Sequence, residues 1–214
     1  MAEDHVTVPR GRHAPPLEVR LNVQRQRLFE AAAKVFSTVG YAEASAEAIS
    51  REAGMSKATF YEHFSNKEEC ILALVDAAGA ASRMAVAAAA VEVEDEFEAK
   101  VHARVSRFLA GLALFPEMAR VVMVDVIGVG PIGASKRDEM LQAFADFLVE
   151  ENLRAHDAYG APRFATHDDA YGIVGAIMEL ASRQLRTGHP ENMSDLEPII
   201  ERIVAGVLEQ GITT

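Results

Sequence analysis

SAEAISREAGMSKATFYEHFSNK, residues 45–67, predicts two short helices joined by a sharp turn. Ile49 and Ala53 recur at helical spacing and give the first helix an apolar inner stripe. Gly54 then ends that helix, because glycine adopts the left-handed backbone conformation at little steric cost. The stretch therefore predicts a helix–turn–helix unit, and an ordinary surface helical hairpin is the alternative for the bare pattern.

The second of these helices has two chemically different faces. Ser56 is a good N-cap for it, and Phe60 and Phe64 lie one turn apart and face inward. The opposite face carries side chains that donate hydrogen bonds to phosphates or base edges, namely Lys57, Thr59, Tyr61 and His63. An apolar underside with a donor-rich upper face is what a helix in a DNA major groove requires.

Further matches at fixed spacing surround this unit over about fifty residues. Phe36, Gly40 and Tyr41 precede it at the end of the first helix, and Ser45 stands at the cap of the second. The remaining matches are Ile49, Ala53-Gly54-Met55-Ser56, Tyr61-Glu62-His63-Phe64 and Lys67-Glu68. In these positions residues 23–74 resemble the DNA-binding domain of TetR-type transcriptional repressors.

The resemblance implies an all-α fold of about nine helices, in which a three-helix helix-turn-helix domain precedes a larger helical domain. We place a flexible N-terminal arm at residues 1–17, the DNA-binding domain at 18–66, and an effector-binding and dimerisation domain at 67–214. The implied function is a ligand-responsive transcriptional regulator, a repressor that binds palindromic operator DNA as a homodimer and is released by its effector. A minority of such regulators act otherwise.

The resemblance also assigns DNA contacts position by position. Lys57 and Ala58 lie where base edges are read, since an ammonium group donates to guanine and a methyl group contacts thymine. Apart from the resemblance, Arg25 and Arg27 near the start of the first helix are expected from their charge and position to contact the DNA backbone. The positions that grip phosphates or cap the reading helix are Ser45, Ser56, Thr59, Tyr61, His63 and Lys67.

Glu47 and Glu62 depart from the family pattern, because a carboxylate beside DNA is repulsive. Either both point away from the DNA, or binding depends more on other cations, including those of the N-terminal arm. That arm contains Arg10-Gly11-Arg12-His13 between prolines and has too few apolar residues to fold by itself. It is either a disordered tail or an arm whose arginines enter a narrow minor groove.

The net charge of −11 is unevenly distributed along the chain. Residues 1–67 hold nine Lys or Arg and eight Asp or Glu, whereas the rest holds twelve basic and twenty-four acidic residues. The acidity therefore belongs to the second domain, and the reading unit is close to neutral. This distribution argues against broad nonspecific coating of DNA, and an acidic body is expected to keep the chain off anionic membranes.

Cys70 is the single cysteine, so an intramolecular disulfide is excluded. It falls on a helix with Ile71 and Leu74, which favours a buried, inert thiol over a redox sensor. Residues 77–91 are interrupted by polar side chains and too weakly hydrophobic to span a bilayer. With no apolar N-terminal run, we expect a soluble cytoplasmic protein.

Helix-period segments with cap signals follow the reading unit. We expect helices that open at Ser65 with Glu68, at Glu94, at Pro116, at Ser135 with Asp138, at Thr166 with Asp169 and at Ser194 with Glu197. The last two helices are the candidates for a dimer interface, because residues 170–181 are apolar nearly all round and the final helix has a wide apolar face. The interface residues are Ile173, Ile177, Leu180, Ile199, Ile200, Ile203, Val204, Val207 and Leu208. Internal burial in one large monomer is the alternative.

The middle helices are expected to enclose a pocket for a small, largely apolar effector such as a lipophilic drug, an aromatic compound or an acyl chain. Methionines adapt to irregular cavities and flat rings suit apolar ligands. The candidate lining residues are Met84, His102, Phe108, Leu112, Phe115, Met118, Val122, Met123, Phe144, Phe147, Tyr171 and Met178. Each is individually also explained as plain core.

Two other classes of function are open at this point. An enzyme is suggested only by His167-Asp168-Asp169 and His156-Asp157, whose neighbouring side chains point about 100° apart on a helix and do not converge. A helical protein-interaction module without DNA binding is the other class. We assign no catalytic residue, no metal site and no cofactor.

Overall fold

The computed structural model describes residues 16–93 and 96–210, so the arm predicted at residues 1–17 lies almost entirely outside the described part. Within those ranges the chain forms nine α-helices, two short 3₁₀ helices and no strand, which confirms the all-α class. The α-helices are α1 (Leu17–Glu43), α2 (Ala46–Glu52), α3 (Lys57–His63), α4 (Lys67–Ala89), α5 (Phe97–Leu114), α6 (Pro116–Met123), α7 (Pro131–Tyr159), α8 (His167–Thr187) and α9 (Glu197–Gln210). The 3₁₀ helices are Asp125–Val129, between α6 and α7, and Met193–Leu196, before α9.

The first three helices pack around a small aromatic and aliphatic core. Phe36, Ile49 and Phe60 are fully buried, and Phe64 at the end of α3 joins them. The side chains of Phe60 and Phe64 stack with ring centroids 5.5 Å apart, one turn apart along the chain as predicted. Gly54 adopts a φ of +63° in the turn between α2 and α3, where other residues would be strained. We call α1, α2 and α3 the reading head.

Helix α4 begins one residue later than the sequence predicts. Asn66, rather than Ser65, has the extended backbone of an N-cap, and its Oδ1 accepts a hydrogen bond from the Glu69 amide at 2.8 Å. Glu69, rather than Glu68, reaches back and accepts from the Ser65 amide at 2.7 Å. The predicted Ser65–Glu68 box was therefore wrong by one position, because an asparagine is an equally good cap and follows directly.

Three other boundaries test the cap signals. Thr166 and Asp169 form the predicted capping box of α8, and Gly188, with a φ of +67°, ends that helix. Helix α7 begins at Pro131 instead of Ser135, because proline fits the first helical turn without needing its missing N–H. The box before α9 is formed by Asn192 and Asp195 on a 3₁₀ helix, and not by Ser194 and Glu197. The predicted end near Gly211 lies outside the described residues.

Helix α4 is the central element that connects the reading head to the rest of the chain, which we call the body. It packs on α1, α5, α6 and α7, while α7 lies against α8 and α5 lies against α9. Among the described residues α4 is also the one helix long and apolar enough to cross a membrane by length and composition alone. Core helices of other proteins pass the same test, and in α4 the side chains of Ile71, Leu74 and Val75 are buried against neighbouring helices.

Candidate nucleic-acid interface and effector cleft

The outer face of α3 carries exposed side chains, while its inner face is buried. We call the exposed side chains of Lys57, Ala58 and Tyr61 the α3 ledge. Lys57, Ala58 and Tyr61 are exposed, and half of the Tyr61 side chain is open to solvent. The Lys57 ammonium lies 5.9 Å from the centre of the Tyr61 ring, so the two side chains occupy neighbouring positions on one surface. Because Phe60 points inward from the same short helix, the direction of this ledge is set by the core of the reading head. Glu62 is also exposed on α3.

Two serines hold the starts of α2 and α3. Ser45 Oγ accepts a hydrogen bond from the Ala48 amide at 3.1 Å, and Ser56 Oγ accepts from the Thr59 amide at 3.0 Å. Both serines are exposed, as is Glu47 in the first turn of α2. The caps leave amide donors of the first helical turns near the surface, where helix N-termini attract phosphate.

The two predicted backbone-binding arginines have different surroundings. The Arg27 guanidinium donates from Nη2 to the carbonyl of Ala53 at 2.8 Å, so it ties α1 to the turn before α3. The Arg25 guanidinium stays exposed and lies 5.1 Å from the centre of the Phe64 ring and 5.4 Å from that of Phe29. Arg25 therefore keeps its donors on the surface, whereas one donor of Arg27 is used to position the turn.

Lys67 does not fit the phosphate contact that the resemblance implies. Its ammonium donates to the carbonyls of Tyr41, Ala42 and Ala44 at 2.7, 2.9 and 2.9 Å. An ammonium group has three donors, so this arrangement uses all of them. We therefore correct the assignment: Lys67 satisfies the carbonyls that end α1 and joins the reading head to α4.

His63 is only partly available to DNA. Its Nε2 lies 3.3 Å from Gln24 Oε1 on α1, and the ring is half-buried. Burial lowers the pKa of His63, and the neighbouring Arg25 lowers it further. Both effects favour the neutral imidazole, and its Nε2 already lies beside Gln24.

In the described part of the chain, three of the predicted effector residues do not lie at the wall of an interior cavity. Met84 is 73% exposed and Phe115 61% exposed, so neither lines an interior pocket. The His102 imidazole projects to solvent and forms ion pairs with Glu197 and Glu201 on α9. These three assignments are wrong as pocket walls, because helical spacing does not reveal which stripe of a helix is covered.

The other predicted pocket residues lie mostly in the packed interior. Val122, Met123 and Met178 are buried in the core, and the Phe108 and Phe144 rings pack edge to face with centroids 6.1 Å apart. The residues that are partly covered are Leu112, Met118, Phe147 and Tyr171. The alternative of plain core therefore accounts for most of the set.

Two clefts stand out in the described part of the body. The larger, about 470 Å³, lies between α5, the end of α8 and the segment before α9, and we call it the α5–α8 cleft. Leu112 is the one predicted pocket residue among those that line it, together with Leu109, Leu185 and Gln184. The smaller cleft, about 230 Å³, lies between α4 and α7 beside Arg83. Sequence reasoning missed the polar side of the larger cleft, because Glu191 and Asn192 follow the helix-ending Gly188-His189-Pro190 and belong to no periodic pattern.

The α8–α9 face only partly matches the predicted interface. Ile173, Ile200 and Leu208 are at most 2% exposed, so they are core residues of one chain and not interface residues. The predicted residues that remain partly uncovered are Ile177, Leu180, Ile199, Ile203, Val204 and Val207. Gly172 and Gly175 lie beside them, and a methyl group added to either glycine would meet no atom within 4 Å.

The histidine–aspartate pairs that suggested an enzyme have structural partners. His167 Nε2 lies 2.8 Å from Asp146 Oδ1 across α7 and α8, and Asp169 caps α8. His156 Nδ1 lies 2.8 Å from the carbonyl of Ala161 and holds the loop that follows α7. These contacts explain the two pairs without a catalytic role.

Comparison with known proteins supports the interpretation of the reading head. Residues 28–74 match the family described as bacterial regulatory proteins, tetR family, which confirms the resemblance found in the sequence. The matched segment runs from α1 into α4 and includes both short helices. The family match covers this segment and not the body of the chain.

Several solved structures share the fold over nearly the whole chain. The fatty acid degradation regulator FadR from Bacillus halodurans has a TM-score of 0.75 and 20% identity, covering 86% of this chain and 96% of its own. FadR from Bacillus subtilis, in complex with stearoyl-CoA, has a TM-score of 0.72 and 17% identity, covering 85% and 98%. Thermus thermophilus FadR, a TetR-family repressor in complex with lauroyl-CoA, has a TM-score of 0.62 and 20% identity, covering 89% and 95%.

Proposed function

We propose that this chain, a TetR-type regulator by its N-terminal domain and its fold, is a cytoplasmic, ligand-responsive repressor that binds inverted-repeat operator DNA as a homodimer. The observation that carries the proposal is the α3 ledge, where Lys57, Ala58 and Tyr61 are exposed on a helix anchored by buried Phe60. A short helix with a rigid base and an exposed donor-bearing face fits a major groove.

Lys57 and Ala58 are proposed to read bases from the start of α3, whereas Tyr61, Ser45, Ser56 and Thr59 hold phosphates. Arg25 adds a cation from α1, since its guanidinium remains exposed beside Phe64. The short ledge suits specific binding at a few base pairs more than tight nonspecific binding, because the rest of the chain is strongly acidic.

The α8–α9 face is the proposed dimer interface. It combines partly uncovered aliphatic side chains with Gly172 and Gly175, which allow a second helix to approach closely. A two-fold dimer places two copies of α3 in consecutive major grooves, about 34 Å apart. A dimer with this symmetry binds DNA whose two half-sites form an inverted repeat.

The effector is proposed to carry a long apolar part, and an acyl-CoA thioester is the first class to test. Two similar folds were solved with stearoyl-CoA and lauroyl-CoA, although the chains are distantly related to this one. The α5–α8 cleft supports the idea, because Leu109, Leu112 and Leu185 offer apolar walls while Gln184 and Asn192 offer hydrogen bonds. Its volume of about 470 Å³ is in the range of known ligand pockets.

The proposed mechanism is a shift between two dimer shapes. Helix α4 packs on α5 and is joined to the end of α1 by Lys67, so a change in the position of α5 is transmitted to the reading head. The effector moves the equilibrium only by the difference between its affinities for the two shapes. The operator is released if, in the effector-bound shape, the distance between the two copies of α3 no longer matches the distance between consecutive major grooves.

The DNA assignment is tested on an operator selected from genomic fragments with the purified full chain. Lys57→Ala should reduce discrimination at one base pair by about 1–3 kcal/mol, whereas Tyr61→Phe should weaken all sites alike. Arg107→Ala removes an exposed cation from α5 and serves as the control. If neither α3 variant changes affinity, or if no duplex is bound at all, the helical protein-interaction module becomes the better explanation.

The dimer is tested by placing a bulky side chain where two backbones should meet. Gly172→Leu is tolerated by the single chain, because the position is open, but it should shift sedimentation towards the monomer. Gly111→Leu is the matched control, since Gly111 is an equally open helical glycine on α5. If both variants sediment as dimers, α8 is not part of the dimer interface.

The effector site is tested by filling the cleft. Ala110→Trp places an indole against the α5–α8 cleft and should abolish operator release by lauroyl-CoA, with DNA affinity unchanged. The neighbouring Gly111→Leu, outside the cleft lining, should keep the response. Release by free coenzyme A alone, or by lauroyl-CoA in the Ala110→Trp variant, would contradict the assignment.

A further inference from the structure

His102 on α5 faces two glutamates on α9 that are one helical turn apart. His102 Nδ1 lies 2.8 Å from Glu201 Oε1 and 2.9 Å from Glu197 Oε1. One oxygen or nitrogen from each of the three side chains lies within 4.8 Å of the others. The spacing of four residues puts both carboxylates on the same side of α9, directed at α5.

Hydrogen bonding alone leaves this cluster incomplete. Nδ1 of an imidazole carries at most one hydrogen, and the hydrogen bond goes to Glu201. Glu197 Oε1 is buried and receives no hydrogen bond, although it lies beside the same nitrogen. A buried carboxylate oxygen without a donor is costly, so the position between the three atoms favours a positive charge.

We propose that His102, Glu197 and Glu201 bind a divalent transition-metal ion that fastens α9 to α5. One imidazole nitrogen and two carboxylate oxygens are a suitable set for Zn²⁺, and three protein ligands leave a further position for water or an anion. Tetrahedral coordination at about 2.0–2.2 Å separates ligand atoms by roughly 3.3 Å. The two contacts of His102, at 2.8 and 2.9 Å, would lengthen by a few tenths of an ångström, and the two carboxylate oxygens, which lie within 4.8 Å of each other, would settle at the same spacing.

The charges around the three side chains favour a bound cation over a bound anion, and they are not balanced by the histidine alone. In the described part of the chain, neither Glu197 nor Glu201 forms an ion pair with a lysine or an arginine, so two negative charges share one imidazole. Glu197 also lines the α5–α8 cleft, which brings that cleft next to the metal position. The ion would hold the start of α9, the helix that carries half of the proposed dimer face.

Zn²⁺ binding to the metal-free full-length chain, measured by calorimetry, tests the site. Wild type should bind one more Zn²⁺ per chain than His102→Ala, so that binding by other histidines cancels in the difference. Glu201→Gln keeps the size of the side chain and should weaken this binding at least about tenfold, the loss that even outer-shell changes cause. His167→Ala is the control, because His167 has one carboxylate partner, Asp146, and should leave the binding unchanged.

Thermal unfolding gives a second readout that does not involve DNA. Zn²⁺ should raise the midpoint of wild type and of His167→Ala, but not that of His102→Ala, since a ligand stabilises only the state that binds it. Equal Zn²⁺ stoichiometry in wild type and His102→Ala would overturn the proposal. So would equal affinity for Mg²⁺ and Zn²⁺, which indicates a nonspecific acidic surface. A rise in the midpoint of Glu201→Gln with Zn²⁺ that equals the rise in wild type would also overturn it, because Glu201 would then act only through its hydrogen bond to His102.

Discussion

The reading head and the α8–α9 face bury apolar side chains in opposite ways. The head covers Phe36, Ile49 and Phe60 completely, so these side chains are buried inside one chain, with α6 also packed on α1. The α8–α9 face covers Ile173 and Ile200 but leaves other aliphatic side chains partly open. The two regions therefore offer different surfaces to a partner. The head presents polar side chains above apolar residues that are already buried, whereas the α8–α9 face presents apolar side chains that are still partly exposed.

Replacing a buried and an exposed phenylalanine gives the largest expected contrast. Phe60→Ala should lower the free energy of unfolding by about 3–5 kcal/mol, because it empties the centre of the reading head. Phe115→Ala, at a side chain that is 61% exposed, should cost less than about 0.5 kcal/mol. Denaturant unfolding followed by circular dichroism measures both, and similar losses would mean that Phe60 is no more tightly packed than Phe115.

Two helical glycines in the body separate close packing from open surface. A Cβ at Gly133 would lie 2.0 Å from the Val126 carbonyl oxygen, so Gly133→Ala should destabilise the chain by about 3 kcal/mol. At Gly175 nothing lies within 4 Å, and Gly175→Ala should stabilise the isolated chain by roughly 0.5 kcal/mol. Unfolding measured at protein concentrations above and below the dissociation constant of the dimer tests whether Gly175→Ala also weakens association. If Gly175→Ala destabilises the monomer, the space around Gly175 is not open as described.

Lys67 and Lys57 separate a positioning residue from a DNA contact. Lys67→Met should cost about 2 kcal/mol of stability, because three backbone carbonyls lose their donor. Lys57→Met should leave stability within about 0.5 kcal/mol and change only operator discrimination. If Lys67→Met instead lowers the salt dependence of DNA binding without changing stability, the lysine grips phosphate as the family resemblance implied.

The smallest expected effect concerns acid sensitivity at the start of α4. The hydrogen bonds that Ser65 donates hold the pKa of Glu69 below its usual range. The carboxylate therefore stabilises the folded state above the ordinary glutamate pKa, and this contribution is lost as pH falls through the lowered value. The melting temperature of Glu69→Gln should differ from that of wild type near neutral pH and converge with it in acid. If the difference in melting temperature stays constant with pH, the ionised Glu69 carboxylate does not contribute to stability.

The same contrast explains which features could be predicted. Ser45, Ser56 and Thr166 were recognised as caps because a cap involves only the next three or four residues. The starts of α4, α7 and α9 were misplaced where Asn66, Pro131 and Asn192 competed locally with a serine. Even these errors are small, since the competing signals lie close together in the chain.

The effector residues were harder to predict for a different reason. Met84 and Phe115 have the apolar character and helical spacing of a pocket wall, yet the neighbouring helices leave them exposed. Burial of Cys70 was foreseen from Ile71 and Leu74 on the same stripe, and that burial raises the pKa of its thiol to about 12. Spacing predicts which residues share a face, but not which of several faces is covered.

By itself, the amino-acid sequence determined the helical class, the two short helices with their caps and the inward direction of Phe60 and Phe64, because these depend on interactions within a few turns. Only the tertiary structure decided that Arg27 and Lys67 serve as internal ties, and that Ile173 and Ile200 are core. It also brought His102 within reach of Glu201, 99 residues further along the chain. Such pairings depend on how whole helices pack, and that is a property of the complete chain.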